Sequence, residues 1–165
     1  MQDMSNTWYY RSDLNERWTA IKKSLGDFTG KSLIDIGCHN GWFSINFILD
    51  GGGSATGVEK NPEFPGWIKE NCEKYKVDVK ALNSIEGLGK FDICLYLDLH
   101  YDSCVDGYDY LHWIKEHCKV LFTAAAGHGS YNEPYKKLLK EMFGNVTEII
   151  TTSYDNRTTY RVDIE

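Results

Sequence analysis

The sequence predicts an α/β fold: a three-layer αβα sandwich around a seven-stranded, mostly parallel sheet that ends in an antiparallel β-hairpin. Two observations lead to this prediction. Short apolar runs alternate with amphipathic stretches along most of the chain, and right-handed crossovers between such strands place helices on both faces of a parallel sheet. Near the C-terminus two strand-like runs follow each other with no helical pattern between them, which predicts a hairpin.

The first half of the chain alternates apolar runs with glycine breaks. Ser12 suits a helix N-cap, apolar residues then recur every three or four positions, and Gly26 ends this pattern. Short apolar runs between glycines indicate buried strands, the apolar stretch after Gly41 suits a buried helix, and Pro62 marks the start of another. These patterns predict a helix over 12–25, a strand over 32–36, a helix over 42–49, a strand over 54–58 and a helix over 62–75.

The second half continues this alternation and then changes character. A third strand alternates apolar and polar residues, whereas the fourth is almost continuously apolar, as buried parallel strands are. The pair Asp155-Asn156 is typical of a turn and separates the last two strands. The predicted elements are strands over 77–82 and 91–97, a helix over 105–118, a strand over 120–125, a helix over 132–143 and hairpin strands over 146–154 and 158–165.

Size and charge limit the organisation and the partners. At 165 residues the chain matches the commonest size of one domain, so we expect a single domain over 1–165, with an N-terminal arm and helix over 1–30 and the α/β core over 31–165. A net charge of −6 provides no general basic field, which disfavours nonspecific binding to nucleic-acid phosphates. A small-molecule substrate is therefore favoured. A local patch that binds nucleic acid stays open, and the oligomeric state is not predicted.

The sequence gives no sign of a membrane span or a structural metal. No stretch approaches the roughly 18 apolar residues that a span needs, and the N-terminus lacks the profile of a secretory signal. We therefore expect a cytoplasmic protein. The five cysteines are unclustered and form neither a Cys-x-x-Cys pair nor a zinc-finger pattern, which favours free thiols and predicts no metal site.

The strongest chemical signal is the stretch from Asp35 to Gly41, which reads Asp-Ile-Gly-Cys-His-Asn-Gly between a predicted strand and helix. Glycines there permit close approach of the backbone to a ligand, and the helix N-terminus offers unpaired amides. This arrangement predicts a loop that holds a nucleoside-type cofactor. The alternative interpretation is an ordinary glycine-containing turn.

This stretch resembles motif I of the class I, Rossmann-like, S-adenosylmethionine-dependent methyltransferases, written D/E-x-G-x-G-x-G. The order of predicted elements resembles that family over nearly the whole chain, although His39 stands at the middle glycine of the motif. Either the loop tolerates a side chain that points away from the cofactor, or the site is modified. The dinucleotide pattern G-x-G-x-x-G is absent, which disfavours a nicotinamide cofactor. The resemblance implies S-adenosyl-L-methionine as the cofactor and methyl transfer as the reaction.

Glu59 follows the second predicted strand, where an acidic side chain can accept hydrogen bonds from both ribose hydroxyls. A solvated surface carboxylate is the alternative. The resemblance adds further cofactor contacts: the methionine end, the adenine ring and the walls of the site. The residues that it implies for these contacts are Asp35, Gly37, His39, Gly41, Asn83, Ser84 and Leu97.

The family places the groups nearest the transferred methyl after the fourth strand, where this chain has Asp98 and His100. Methyl transfer from a sulfonium is an in-line displacement, so a base is needed only when the acceptor loses a proton. His100 is the candidate base and Asp98 the second candidate catalytic residue. A structural histidine and an aspartate that caps the next turn are the alternatives.

The residues 7–18 and 97–102 are similar to stretches of the tRNA wobble-uridine carboxymethyltransferase family, which implies a possible modified sulfonium donor. Three hypotheses follow: a methyltransferase acting on an unidentified, small-molecule acceptor, a carboxymethyl-type transferase, and a non-catalytic module that binds S-adenosylmethionine or regulates a partner. Because fold does not fix function, the sequence does not identify the acceptor.

Overall fold

The computed structural model describes residues 12–99, 104–125, 129–154 and 156–164. Strands and helices alternate until the last two strands. The elements are α1 (Ser12–Leu25), β1 (Ser32–Ile36), α2 (Trp42–Leu49), β2 (Ser54–Val58), α3 (Phe64–Tyr75), β3 (Lys80–Leu82), β4 (Phe91–Leu99), α4 (Cys104–His117), β5 (Cys118–Ala125), α5 (Asn132–Phe143), β6 (Thr147–Thr151) and β7 (Thr158–Asp163).

One seven-stranded sheet has the order β3-β2-β1-β4-β5-β7-β6. The first five strands are parallel, and β7 pairs antiparallel with both β5 and β6. The predicted mostly parallel sheet with a terminal antiparallel hairpin is therefore confirmed. From β1 the strand order proceeds to β2 and β3 on one side, whereas β4 and β5 follow on the other side of β1. This change in strand order creates a crevice at the carboxyl ends of β1 and β4. In open α/β sheets ligands bind at such a switch point.

Two apolar layers cover the two faces of the sheet, because alternate residues of each buried strand point to opposite sides. Leu33 and Leu95 pack with side chains of α1, α2 and α3 on one face. Ile34 and Cys94 pack with side chains of α4 and α5 on the other. Strands buried on both faces explain why β1 and β4 are apolar at almost every position.

Most predicted boundaries hold within two residues, but the third strand begins three residues later than predicted and β6 ends three residues earlier. The strand predicted over 77–82 pairs with β2 only from Lys80 onward. Lys76 takes a left-handed conformation with φ 55°, and the Val77 N–H donates to the Cys72 carbonyl, 3.1 Å away. This capping arrangement ties the first residues of the predicted strand to the end of α3. The helix predicted from residue 62 begins instead at Phe64.

Helix α1 joins distant parts of the fold. The Trp18 Nε1 donates to Asp50 Oδ2 at 2.8 Å, just after α2 ends. Near the opposite edge of the sheet, Arg161 of β7 donates a hydrogen bond to the Ser24 carbonyl at the end of α1. Within the described ranges, none of the helices combines the length and apolar character that a membrane span requires.

Candidate functional site

The loop between β1 and α2 has three left-handed residues in close succession. The φ angles are 77° at Gly37, 50° at His39 and 77° at Gly41. The Gly37 N–H donates to the Val58 carbonyl at 2.8 Å and the Gly41 N–H to the Cys38 carbonyl at 2.8 Å, so the loop is fixed against the end of β2. Glycine takes such angles without strain. The backbone of Gly37 is exposed at the carboxyl edge of the sheet, where a ligand can approach it.

Glu59 lies directly after β2 and joins that strand to the loop. Its Oε2 accepts a hydrogen bond from the His39 N–H at 3.1 Å, and its Oε1 accepts one from the Asn61 N–H at 3.0 Å. The side chain is half-buried. A carboxylate has about four acceptor positions, so this one can bind further donors while it holds the loop. The structure thus brings two predicted site residues, His39 and Glu59, into direct contact.

The His39 ring packs against the first turn of α3. Its centroid is 4.0 Å from that of Phe64 and 6.0 Å from that of Trp67, which is 37% exposed. Desolvation by burial lowers the pKa of His39, although the nearby Glu59 carboxylate opposes this shift. The imidazole thus rests on α3, while the backbone N–H of His39 bonds to Glu59. This arrangement favours the alternative in which the loop tolerates a side chain at the middle glycine position.

Asp35 is a buried carboxyl beneath the loop. It is 3% exposed, and its Oδ2 accepts a hydrogen bond from Ser44 Oγ at 3.0 Å. Desolvation raises the pKa of Asp35 to about 7, and the hydrogen bond from Ser44 only partly offsets this effect. Near neutral pH this carboxyl therefore changes its charge easily, and a cation bound close to it would favour the ionised form.

The remaining predicted residues sit at successive strand ends. Glu59 N–H donates to the Leu82 carbonyl at 2.9 Å, which places Asn83 beside the end of β2. Asn83 is exposed, whereas Ser84 is half-buried and its Oγ accepts the Glu86 N–H at 3.1 Å. Leu97 is 7% exposed and contributes to the apolar layer beneath α1, α2 and α3. Of these three residues, only Asn83 presents its side chain openly to solvent.

One of the two predicted catalytic residues lies within the described residues, near the end of β4. Asp98 belongs to that strand, which lies beside β1 in the sheet. His100 lies outside the described residues, as does the part of the 7–18 stretch before Ser12. Strand β4 therefore ends at the same edge of the sheet as β1, which leads into the Asp35–Gly41 loop.

Gly57 is a site residue that sequence reasoning missed. It lies in β2 opposite Asp35 of β1, and a Cβ built on it would come 2.7 Å from the Cys38 Sγ. Real Cβ atoms essentially never approach so closely. The absence of a side chain at this position lets the loop settle on β2. A glycine inside a buried strand is the sequence signal that indicates such a close approach.

Asn40 and Ser44 were also missed. Asn40 is 7% exposed, its Oδ1 accepts the Trp42 N–H at 3.3 Å, and its carbonyl accepts Asn71 Nδ2 at 3.1 Å. Ser44 holds Asp35 as described above. Asn40 stands at a position where the motif specifies no residue type, and Ser44 lies beyond the motif, on the face of α2 that turns toward Asp35.

Metal-binding chemistry has no assembled site in the part of the chain that the structure describes. There, no group of three or more histidine, cysteine or acidic side chains has an arrangement that could hold a metal ion. The described thiols of Cys38, Cys72, Cys94 and Cys118 are free and buried. Burial raises the pKa of Cys38, with the nearby carboxylates of Asp35 and Glu59 adding to the effect. Burial also raises the pKa of Cys72 and Cys94, so these two thiols and that of Cys38 stay protonated and serve as small core side chains.

No family model matches this sequence, and no curated protein sequence does either. Solved structures do match its fold. The T. thermophilus 16S rRNA methyltransferase RsmC, solved with S-adenosylmethionine and guanosine, gives a TM-score of 0.77 at 16% identity over 98% of this chain and 45% of that one. The ribosomal protein L11 methylase of Lactobacillus delbrueckii subsp. bulgaricus gives 0.69 at 10% identity over 92% and 80%.

A third structure, a putative RNA methyltransferase of Pyrococcus horikoshii, gives a TM-score of 0.68 at 20% identity over 93% of this chain and 84% of that one. At these low identities the likeness concerns the fold. The chain thus has the fold of the class I S-adenosylmethionine-dependent methyltransferases, as the sequence predicted. The local likeness to the wobble-uridine family stays a prediction.

The pKa of Asp35 generates a prediction about stability. A folded-state pKa of about 7 against an ordinary value of 3.8 means that the folded protein binds this proton more tightly than the unfolded chain. This tighter proton binding adds about 4 kcal/mol to the free energy of unfolding below about pH 4, and the added stability is lost as the pH rises to about 7. Asp35→Asn stays neutral, so its free energy of unfolding should rise relative to the wild type between these pH values. Urea unfolding across that range measures this, and parallel profiles would contradict it.

The close approach at Gly57 generates a second prediction. Gly57→Ala forces a methyl group against the Cys38 sulfur, and such overpacking costs about 1–3 kcal/mol. Adding Cys38→Ala removes the sulfur, so the double variant should lose less stability than the two single changes together. Urea unfolding of all four proteins gives the coupling. Additive losses would show that the chain relaxes around the added methyl.

Proposed function

We propose that this protein is an S-adenosylmethionine-dependent methyltransferase that holds its cofactor at the carboxyl ends of β1 and β2. The observation that carries the proposal is the hydrogen bond from the His39 N–H to Glu59, which joins a left-handed, glycine-containing loop to an acidic residue at the next strand end. The solved structures with the same fold, named above, are methylases or methyltransferases, which supports this assignment.

The residues present fit such a cofactor. Glu59 has acceptor positions left for the two ribose hydroxyls, and exposed Gly37 offers backbone that a ligand can approach closely. Gly41 begins α2 at the side of the same loop, and Asn83 and Ser84 lie next along the edge for the adenine. Leu97 of β4 contributes a buried apolar side chain beneath the proposed site. When bound, the cofactor supplies an electrophilic methyl group on a sulfonium.

Asp35 acts from below this site in our proposal. Its carboxyl is buried and bonded to Ser44, so it serves as a charge beneath the loop. The methionine end of the cofactor carries an ammonium and a sulfonium, and positive charge above Asp35 favours its ionised form. Near pH 7 we therefore expect Asp35 to lose its proton when the cofactor binds.

The acceptor side is assigned to the end of β4. Asp98 and His100 are the proposed catalytic residues there: His100 takes the proton of a hydroxyl or amine acceptor, and Asp98 positions the acceptor or that histidine. Alignment of the acceptor for in-line attack is the main contribution of the protein, because the displacement itself needs no further group. An acceptor that carries no proton to lose requires only this alignment.

A small molecule is the acceptor that we propose. The net charge of −6 disfavours a nucleic acid held by general electrostatic attraction. RsmC and the Pyrococcus protein are named for RNA and the Lactobacillus enzyme for a ribosomal protein, so macromolecular acceptors belong in the same test. The carboxymethyl-type donor and the non-catalytic module are further outcomes of that test.

The deciding experiment has two parts. Calorimetric titration with S-adenosylmethionine and S-adenosylhomocysteine measures binding, and a labelled methyl donor then tests transfer to small hydroxyl and amine compounds, to RNA and to ribosomal protein. Binding followed by transfer supports the proposal. Absence of binding to either compound overturns the cofactor assignment, and binding without transfer to any acceptor favours the non-catalytic module.

Removal of the Glu59 carboxylate should weaken cofactor binding. Glu59→Ala takes away a charged acceptor from two ribose hydroxyls and releases the His39 N–H, at a cost of about 1–3 kcal/mol in binding free energy. Glu63→Ala is the matched control, because Glu63 lies exposed four positions further along the same segment. Calorimetry with S-adenosylhomocysteine measures both, at a temperature where circular dichroism shows both variants folded. Equal affinities would return Glu59 to the role of a surface carboxylate.

His100→Ala should separate turnover from cofactor affinity. Loss of a general base lowers turnover by about 10²–10⁴-fold, whereas affinity for S-adenosylhomocysteine should stay within a few-fold of the wild type. The turnover arm uses whichever acceptor the screen identifies, and the affinity arm can be measured at once. A large loss of affinity would reassign His100 to cofactor binding, and unchanged turnover on a protonated acceptor would remove it from the chemistry.

A further inference from the structure

We propose that two copies of this chain form a dimer through strand β6, with α1 of each copy lying beside that of the other. In the part of the chain that the structure describes, β6 ends the sheet and pairs only with β7. Its outer edge presents backbone donors and acceptors that another strand can pair with. This inference does not depend on the proposed function.

Of the features that commonly protect an edge strand, β6 has one, a bulge in its pairing with β7. Thr147–Thr151 contains no lysine and no proline, and its charged residue Glu148 forms an ion pair with Lys136 of α5, on the face of the sheet away from α1. Charged side chains, prolines and bulges are the common means of preventing edge pairing. The charge of Glu148 is engaged by Lys136 within the same copy.

A bulge in β6 creates an apolar surface on the α1 side. The pairing with β7 shifts register between Glu148 and Ile150, so Ile149 is the extra residue. Both Ile149 and Ile150 line an open groove of about 750 Å³ beside α1. Neighbouring residues of a regular strand would point to opposite faces, so the bulge is what presents both isoleucines to one groove.

The other wall of this groove is the outer face of α1. Its small central residues are Thr19 and Ala20, with Glu16 on one side of them and Lys23 on the other. Glu16 accepts hydrogen bonds from Ser153 Oγ at 2.7 Å and Ser153 N–H at 3.2 Å, just beyond β6. These hydrogen bonds lower the pKa of Glu16, which keeps its carboxylate charged.

Helix α1 runs antiparallel to β6. Glu16 contacts Ser153 at the end of the strand, whereas Ser24 contacts Arg161, which pairs with Thr147 at the start. The middle of α1 therefore lies over the middle of β6. A twofold axis through that point pairs β6 with β6 antiparallel and sets the two α1 helices antiparallel on the same face of a continuous sheet.

Charge complementarity identifies the second copy as the occupant of the groove. Glu16 and Lys23 are seven residues apart, about two helical turns or ~10 Å along one face. The twofold axis between them brings Glu16 of each copy opposite Lys23 of the other, so two attractive pairs form. The small side chains of Thr19 and Ala20 lie at the axis, where the helices come closest.

Sedimentation equilibrium of the full chain tests this dimer. We expect a mass of twice 19.0 kDa that falls on dilution. Glu16→Lys and Lys23→Glu should each weaken association about tenfold, because each places like charges opposite one another at two positions. The double variant Glu16→Lys/Lys23→Glu restores both pairs and should return the dissociation constant to within a few-fold of the wild-type value.

A strand variant tests the edge pairing. Ile150→Lys places a charge in the groove and should leave only the single-chain mass, whereas Leu49→Lys, an exposed position on α2, should leave the dimer intact. If Ile150→Lys fails to fold, hydrogen exchange of wild-type β6 amides answers the question, since the dimer slows it at high protein concentration. A single-chain mass at every concentration overturns the proposal, whether or not the groove captures another protein. So does a dimer that is indifferent to the charge reversals and to Ile150→Lys, or one whose β6 amides exchange equally fast at all concentrations.

Discussion

The candidate site depends on the hydrogen bond between the His39 N–H and the Glu59 carboxylate. It crosses from the loop after β1 to the residue after β2, so two neighbouring strands share one fixed edge. The loop holds left-handed angles at Gly37, His39 and Gly41, which a free chain would rarely adopt at a histidine. The strain at His39 is offset by this bond and by the contact of its ring with Phe64. A side chain at the middle glycine position is thereby compatible with the loop.

Below the loop, burial and hydrogen bonding work against each other at Asp35. Desolvation raises the pKa of its carboxyl, whereas Ser44 favours the charged form. Ser44 lies on α2, whose N-terminus adjoins the loop, so the helix that follows the loop also supplies the hydrogen bond to Asp35. A carboxyl held near its point of titration responds to any charge bound above it. The loop and the buried carboxyl therefore form one electrostatic unit.

Much of this arrangement could be predicted from local sequence. The bounds of β1, α2 and β2 follow from apolar runs that end at glycines, and the Asp35–Gly41 stretch and Glu59 stand out by their positions after strands. The third strand was predicted, but its start at Lys80 was not, because Val77 bonds to the end of α3. Gly57 and Ser44 act through strand register and the rotation of α2, which no single segment specifies. At the end of β4 the sequence indicated only a position for Asp98 and His100, since the order of strands in the sheet, which no single segment specifies, sets which other strand ends lie beside it.

Helix α1 is hydrogen-bonded both to the end of α2, the helix beside the crevice, and to the hairpin at the far edge of the sheet. Trp18 bonds to Asp50 at the end of α2, and Glu16 and Ser24 bond to the C-terminal hairpin. Strands β5 and β7 separate β6 from β4 in the sheet, so pairing at β6 leaves the carboxyl ends of β1 and β2 uncovered. A contact at β6 would leave the site unoccupied, and α1 is the element that links this edge of the sheet to the end of α2. An interface at this edge can therefore stabilise the frame that carries the loop while the crevice stays open to its ligands.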